Sequence, residues 1–318
     1  MKKVVLSILT IVTIFVAFGY VNQSAHGNGG GAPAGRTGSP GDGGPSQSCA
    51  RSGCHTGGSN PISGSTNASL TSTIPTTGYI PGQTYTVTGF VQGTGLQEFG
   101  FQISPQNTAG TQRGTLVVTD ASATQIVNTK YITHRTAGTA GSGSRTWSFN
   151  WVAPAAGTGA FSFYGAFNAT NSNNNVTGDI IYLEELLIAE AAQISTQPTN
   201  QSACTGANAS FTISATGTGI TYQWKKNGSI LTNDGHFSGV TTNTLTITNV
   251  NAGDVDSYTC EVTGSGNTIA SNPATFSLLT PASISDNPNP LILCGGNRQH
   301  LALLQLALTL LTNGNVIM

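Results

Sequence analysis

Apolar and polar residues alternate with a period of two through residues 66–190, in short runs separated by turn clusters. In "TWSFNWVAP" the apolar positions Trp147, Phe149 and Trp151 fall on one face, and "PGQTYTVTGF" begins with a Pro-Gly turn and then alternates. Alternation at this spacing is typical of half-buried strands. A helical period is weak and confined to "YLEELLIAEAA", which can equally be a final strand. The pattern predicts an antiparallel β-sandwich, placed at 49–190 when the cysteine-containing segment before it is included.

A second unit follows at 193–280. The segment "ITYQWKKNG" is typical of a strand that ends in an Asn-Gly turn. The order Cys204, Trp224, Cys260, with Tyr258 two residues before the last cysteine, resembles the immunoglobulin framework. In that framework a disulfide joins the two sheets, the tryptophan packs on it, and the tyrosine hydroxyl bonds to the backbone. The resemblance implies an Ig-like domain with a disulfide between Cys204 and Cys260.

A third segment repeats the start of the second. "NPNPLILCGGNRQHLA" resembles "QPTNQSACTGANASFT" in the placement of its Pro-Asn, Cys, Gly and Asn residues. We expect a second Ig-like repeat at 284–318, truncated because neither a Trp nor a second Cys follows Cys294. The alternative is a short apolar terminal helix, which is too short to span a membrane.

The first 25 residues predict export. Two lysines precede a long apolar run, which is typical of a secretory signal peptide at 1–25, with cleavage after Gly19 or Ala25; an uncleaved anchor is the alternative. Residues 26–48 are rich in Gly, Pro and Ser and have no apolar period, so we expect either a flexible, disordered lead-in or an irregular wrap. The predicted location is extracellular or at the cell surface, with membrane contact only through the signal or an anchor.

Composition narrows the class of protein. Only 7 % of the 318 residues are charged and the formal net charge is −1. Such a chain offers no basic patch for nucleic acid, so no nucleic-acid partner is expected. Gly, Ser, Thr and Asn dominate, as is common in secreted β-rich proteins. The predicted fold class is all-β, with two consecutive antiparallel β-sandwiches after the lead-in.

The five cysteines are an odd number for an exported chain. If Cys204 pairs with Cys260, the truncation leaves Cys294 without a partner. Cys49 and Cys54 then pair with each other or hold a cofactor.

The stretch "CARSGCHTGG" contains Cys49, Cys54 and His55. A c-type haem is held by two cysteines and an axial histidine, usually spaced C-x-x-C-H, and the spacing here is two residues wider. A six-coordinate haem needs a second axial ligand. The only methionines stand at the two ends of the chain, so His134 in "KYITHRT" is the preferred second ligand. The other candidates are His26, His236 and His300.

Other uses of the same residues stay open. Cys49 and Cys54 can close a small disulfide loop that needs no cofactor. Cys49, Cys54, His55 and His134 together would make a four-ligand zinc set, although adjacent Cys-His ligands are sterically awkward around one ion. His134 can also serve only as a hydrogen-bonding residue of the fold.

Several motifs occur in order between residues 32 and 190: "GAPAGRTGSPGDGG", "CARSGCHTG", "YIPGQTYTVTGFVQG", "YITHRTAG" and "WSFNWVAPAAGTGAFSFYGAFNATN". With these the segment resembles the choice-of-anchor V domain, a reelin-like β-sandwich of exported surface proteins of Bacteroidetes-type bacteria. Many members have a Cys-x-x-Cys-His-like element, which maps here to Cys49, Cys54 and His55, and the sandwich histidine maps to His134. The wider cysteine spacing and the lack of a visible C-terminal sorting domain are departures from the family.

Enzymatic motifs are missing from the sequence. There is no G-x-S-x-G elbow and no H-E-x-x-H. Glu184 and Glu185 are adjacent, so on a strand they point to opposite faces. Asp179 in "TGDIIY" is a turn residue or, with the Asn-rich segment before it, a calcium ligand. We therefore expect a non-enzymatic adhesion or binding protein with an unknown protein or glycan ligand; the alternative is a redox or electron-transfer protein that carries haem c.

Overall fold

The computed structural model describes residues 30–50, 55, 61–173 and 177–279. This part of the chain is all-β and forms two sandwiches within one compact unit that ends at Leu278. None of its helices is long and apolar enough to cross a membrane. The predicted signal peptide and the predicted truncated repeat lie outside the described residues, and so do Cys54 and Cys294.

The first sandwich has ten strands and three short 3₁₀ turns in the described residues. The strands are β1 (Ile62–Ser63), β2 (Ala68–Ser72), β3 (Thr84–Gln92), β4 (Glu98–Gln106), β5 (Thr115–Val117), β6 (Thr124–Val127), β7 (Tyr131–His134), β8 (Ser144–Val152), β9 (Phe161–Thr170) and β10 (Ile180–Ile188). The turns are Pro40–Asp42, Pro45–Gln47 and Thr136–Gly138.

These strands form two facing sheets. One has the order β1-β10-β9-β4-β7-β6 and the other β2-β3-β8-β5, and their pairs are antiparallel except β1 with β10. The predicted alternation is confirmed, because Trp147, Phe149 and Trp151 all point into the core between the sheets. The segment "YLEELLIAEAA" is a strand, not a helix, since β10 pairs with β9 along its whole length.

Residues 30–50, which we call the wrap, lie across the outer face of the six-stranded sheet. The Gln102 side chain donates to the carbonyl oxygens of Ala32 and Pro33 at 3.1 and 2.8 Å and accepts from the Arg36 amide at 2.7 Å. The Ser39 hydroxyl donates to the Gln106 side chain at 3.0 Å. Of the two predictions for this segment, the irregular wrap is therefore the one observed. The segment has little apolar surface to bury, and side-chain amides of the sheet bind it instead.

The second sandwich has eleven strands and one 3₁₀ turn, Ala252–Asp254. The strands are β11 (Gln193–Thr196), β12 (Gln201–Ala203), β13 (Ala209–Thr212), β14 (Ser214–Thr216), β15 (Thr221–Lys226), β16 (Ser229–Ile230), β17 (Phe237–Ser238), β18 (Thr244–Ile247), β19 (Ser257–Thr263), β20 (Thr268–Ala270) and β21 (Ala274–Leu278). One sheet has the order β12-β21-β19-β15-β16 with β20 beside β19; opposite lie β13-β18-β17 and the pair β11-β14.

The framework residues of the second sandwich lie where the sequence predicts. Trp224 and Cys260 are cross-strand neighbours on β15 and β19, and both are fully buried. The Tyr258 hydroxyl donates to the Asp254 carbonyl at 2.8 Å, which confirms the predicted tyrosine corner.

The predicted disulfide between Cys204 and Cys260 is wrong for this structure, in which both are free cysteines. Cys204 follows β12 in an exposed turn, whereas Cys260 points into the core. The aromatic ring of Phe211 on β13 occupies the core here, stacked on Tyr258 at 4.8 Å between centroids. Burial raises the pKa of the Cys260 thiol to about 11, so this thiol is neutral and unreactive at pH 7.

Candidate functional site

The cysteine-histidine segment lies on the outer face of the six-stranded sheet, at the end of the wrap. Cys49 is half-buried, and its thiol lies 3.6 Å from the Arg36 carbonyl oxygen. The His55 amide donates to the Cys49 carbonyl at 3.1 Å, which brings the histidine back beside the cysteine. Cys49 and Ala50 pack on a small apolar cluster of Ala166, Ile181 and Leu183.

The His55 ring is held by a buried carboxylate. Its Nδ1 lies 2.6 Å from Oδ2 of Asp179, and the two side chains are 15 % and 1 % exposed. The other carboxylate oxygen of Asp179 accepts from the Asn171 amide at 3.0 Å. Burial alone would raise the pKa of Asp179, but the hydrogen bonds from His55 and the Asn171 backbone outweigh it and lower that pKa. Asp179 is therefore a carboxylate at neutral pH and orients the imidazole.

Asn168 also contacts the His55 ring. Its Nδ2 is 3.4 Å from Nδ1 and 3.3 Å from Nε2 of His55. Its Oδ1 is buried and has no hydrogen-bond partner in the described residues. Because Nδ1 of His55 donates to Asp179, the neutral form of this ring has its lone pair on Nε2.

His134 ends β7 and is buried. Its Nδ1 is 3.0 Å from the Phe101 amide nitrogen and 3.1 Å from the Phe101 carbonyl oxygen. In the tautomer with Nδ1 unprotonated, the ring accepts from the Phe101 amide. In the tautomer with Nδ1 protonated, the ring donates to the Phe101 carbonyl and its lone pair is on Nε2. The ring thus extends the pairing of β7 with β4 beyond the last backbone pair, Gln102 with Thr133.

The two predicted histidines lie over adjacent strands of one face. Gly100 of β4 is directly opposite Asn168 of β9. A Cβ on Gly100 would lie 2.8 Å from Cε1 of His134, so this glycine makes the room for the ring. Residues that are directly opposite in an antiparallel pair point to the same face of the sheet. The His134 ring over Gly100 and the His55 ring beside Asn168 therefore lie on one face.

The donor set agrees in part with a haem or metal site. A histidine that ligates a metal usually donates its other ring nitrogen to a carboxylate or a carbonyl. His55 does so with Asp179, and one tautomer of His134 does so with Phe101. In the described residues no group of three or more His, Cys, Asp or Glu side chains converges on one point. Cys54 lies outside these residues, so the haem, the zinc set and the Cys49–Cys54 disulfide stay predictions.

Sequence reasoning missed Asp179 and Asn168 as partners of His55. The sequence marked Asp179 only as a turn residue or a calcium ligand, whereas in the structure its carboxylate accepts from the Asn171 amide and bonds to His55. The pairing with His55 joins residues 124 positions apart. No local pattern could show that contact; the only available signal was an isolated aspartate next to a strand.

Comparisons with known proteins give one family match and a set of structural likenesses. Residues 192–276 match the immunoglobulin I-set domain, which confirms the Ig-like domain predicted at 193–280. A search of curated proteins finds no match.

Three solved structures represent the structural likenesses. The Reelin-N domain of F-spondin is 22 % identical, with 42 % of this chain and 90 % of that chain covered and a TM-score of 0.32. The human F-spondin reeler domain is 21 % identical, with 42 % and 93 % covered and a TM-score of 0.31. Domain D1 of Duf (Kirre) is 20 % identical, with 29 % and 100 % covered and a TM-score of 0.26. At these identities and TM-scores the likenesses carry no activity or partner over to this chain.

Proposed function

We propose that this chain is an exported, non-enzymatic protein that binds a protein or glycan ligand outside the cell or at its surface. The carrying observation is the I-set match at 192–276, because domains of this kind serve mainly as binding modules. Fold alone does not name a ligand. The I-set sheet β12-β21-β19-β15-β16 leaves a polar outer face, where Lys225 pairs with Glu261, and an edge where Ile230 is exposed.

The first sandwich supports the same proposal. We assign it to the choice-of-anchor V family on the ordered motifs between residues 32 and 190. Gln102 and Gln106, two buried polar side chains on its outer sheet face, bond to the wrap, which is a structural use of those groups.

A bead assay tests the binding function. Beads coated with the full exported chain are mixed with the cells that export it, and with cells treated beforehand by protease or by periodate. We expect saturable retention that soluble chain competes away. Loss after protease identifies a protein ligand and loss after periodate a glycan. Albumin-coated beads are the control, and retention no greater than theirs on every surface contradicts the proposal.

Covalent haem c is the second candidate function, and the bond between His55 and Asp179 is the observation that favours it. When bound, such a group supplies reversible one-electron chemistry. Cys49 and Cys54 would hold it, and His55 and His134 would ligate its iron. Asp179 would then keep the His55 proton on Nδ1, and the Phe101 carbonyl would accept from Nδ1 of His134.

The absorption spectrum of protein matured in a host with c-type haem machinery tests this candidate. A thioether-type pyridine haemochrome that disappears in Cys49→Ala supports it. His134→Ala should change the ligand field and leave attachment intact. A colourless protein in which Cys49 and Cys54 are oxidised to a disulfide rules it out.

A further inference from the structure

The chain between the two sandwiches is short and buried. β10 ends at Ile188 and β11 begins at Gln193, so residues 189–192 form the whole connection, which we call the junction. Residues 190–192 are each no more than 5 % exposed. Linkers that allow domains to move are usually exposed and make few contacts with either domain. A buried junction is therefore not a free tether.

One residue of the junction, Glu190, bonds to both sandwiches. Its carboxylate accepts from the amides of Gly157 and Gly159, both at 2.8 Å, and from the Tyr79 hydroxyl at 3.3 Å, all in the first sandwich. Its backbone bonds to the second sandwich, where the Glu190 amide donates to the Thr218 hydroxyl at 2.9 Å and the Glu190 carbonyl accepts from the Thr218 amide at 3.0 Å. The side chain and the backbone of this residue thus bind different sandwiches.

The rest of the junction repeats this division along its backbone. Tyr79 of the first sandwich donates its amide to the Ala189 carbonyl at 2.9 Å and accepts from the Ala191 amide at 3.0 Å. The Asn267 side chain of the second sandwich accepts from the Ala192 amide at 2.7 Å and donates to the Ala192 carbonyl at 3.1 Å. In an extended chain the backbone groups of successive residues point to opposite sides. The junction is therefore bonded like a strand inside a sheet, with one side bonded to each sandwich.

The two sandwiches also touch directly beside the junction. Gly266, in the turn between β19 and β20, lies against the chain that leads to Tyr79. A Cβ on Gly266 would lie 2.5 Å from Cα of Thr77 and 2.6 Å from the Thr76 carbonyl oxygen, which is closer than a Cβ comes to a backbone atom. The approach of the two backbones at this point therefore requires glycine.

A change in the angle between the sandwiches would break bonds on one side of the junction. Because the junction is buried, the released amides and carboxylate oxygens would lack partners, and an unpaired buried polar group is costly. Each sandwich nevertheless has a core of its own. The junction can thus fix the orientation of two folded sandwiches without making them unfold together.

We propose that Glu190 clamps the two sandwiches into one rigid body, so that the I-set domain is held at a fixed angle to the first sandwich. The carboxylate binds the first sandwich and the backbone of the same residue binds the second. The proposal concerns the folded chain itself, so it depends neither on the ligand nor on haem.

Residual dipolar couplings of the backbone amides in the full chain test the clamp, because they report the orientation of each sandwich separately. A rigid body has one alignment tensor, so we expect a single tensor to fit the couplings of both sandwiches. Glu190→Ala removes the carboxylate that accepts from Gly157, Gly159 and Tyr79. It should abolish the common tensor, while the couplings of each sandwich still fit a tensor of their own.

Two further variants keep the test decisive if Glu190→Ala does not fold. Asn267→Ala removes both side-chain bonds to the junction, and Gly266→Ala places a methyl group against the first sandwich; each should also separate the two tensors. Asn208→Ala, which removes a bond to the Asn249 amide within the second sandwich, is the matched control and should leave the common tensor intact. Different tensors in the unaltered chain overturn the proposal. So does a common tensor that persists in Glu190→Ala or, if that variant is unfolded, in both of the others.

Discussion

The two sandwiches differ in which polar side chains they bury and in what those side chains bind. In the first, Gln102, Gln106 and Thr133 are fully buried beneath the wrap, and their hydrogen-bonding groups bind wrap residues or nearby strands. In the second, the buried polar side chains in the described residues are Asp254 and Ser271. Apolar burial has no direction, whereas amide and hydroxyl bonds fix the register of the groups they join. A segment poor in apolar residues can therefore be ordered by a polar sheet face.

In both sandwiches, nevertheless, a buried carboxylate is held by several hydrogen-bond donors. Glu190 accepts from the amides of Gly157 and Gly159, both at 2.8 Å, and from the Tyr79 hydroxyl at 3.3 Å. Asp254 accepts from the Asn251 amide at 2.9 Å and pairs with His236 at 2.8 Å. A buried charge is tolerated only where several donors converge on it, and both sites meet that condition.

The largest expected effect comes from truncating an aromatic ring in each core. Phe163→Ala in the first sandwich and Phe211→Ala in the second should each cost about 3–5 kcal/mol of unfolding free energy, because both rings are fully buried. Calorimetry should show each variant lowering only the transition of its own sandwich. Leu187→Ala, at a position 71 % exposed, is the control. If either core variant lowers both transitions equally, the two sandwiches unfold as one.

A smaller effect is expected from crowding the wrap. A Cβ on Gly41 would clash with the Gln106 side chain and with Gly110, so Gly41→Ala should cost about 1–3 kcal/mol. Hydrogen exchange should accelerate in residues 30–50 and stay unchanged in the second sandwich. Ser46→Ala, an exposed position of the wrap, is the control. Unchanged protection in Gly41→Ala would mean that the wrap is not held by this close approach.

A pH-dependent effect is expected at Asp179. Its pKa is lowered in the folded state, so its contribution to stability is present above the ordinary Asp value of about 3.9 and is lost as pH falls through the lower folded-state value. Asp179→Asn should cost about 1–2 kcal/mol at pH 7, and urea unfolding should show the difference from the parent protein closing as the pH falls below 4.

The control for this experiment is Glu98→Gln, which alters an exposed carboxylate at the start of β4. It should change stability little at any pH. A difference between Asp179→Asn and the parent protein that is the same at pH 7 and at pH 3 would show that ionisation of Asp179 does not contribute.

The smallest effect is expected at Cys204. This free thiol is exposed and Cys260 is buried with a pKa raised to about 11, so Cys204→Ser should change stability by less than about 0.5 kcal/mol. Iodoacetamide should label Cys204 in the folded chain and Cys260 only after unfolding. A large loss of stability in Cys204→Ser, or protection of both thiols until reduction, would restore the predicted disulfide.

The all-β class and the second sandwich were predictable because their signals are local. Period-two alternation marks the strands, and the spacing of Trp224, Tyr258 and Cys260 marks the Ig-like domain. The same reasoning failed for Cys204, since order along the chain does not say which residue of β13 points into the core. Cys204 lies outside β13 in an exposed turn, whereas Phe211 of β13 is fully buried.

The sequence by itself determined the fold class, the two-domain order and the residues of the cysteine-histidine motif, because periodicity and short motifs are properties of neighbouring residues. Only the tertiary structure decided that the wrap covers a polar sheet face and that Asp179 and Asn168 hold His55. Each of these depends on contacts between distant segments. Such contacts are set by sheet register and by where a strand ends, and neither leaves a local trace in the sequence.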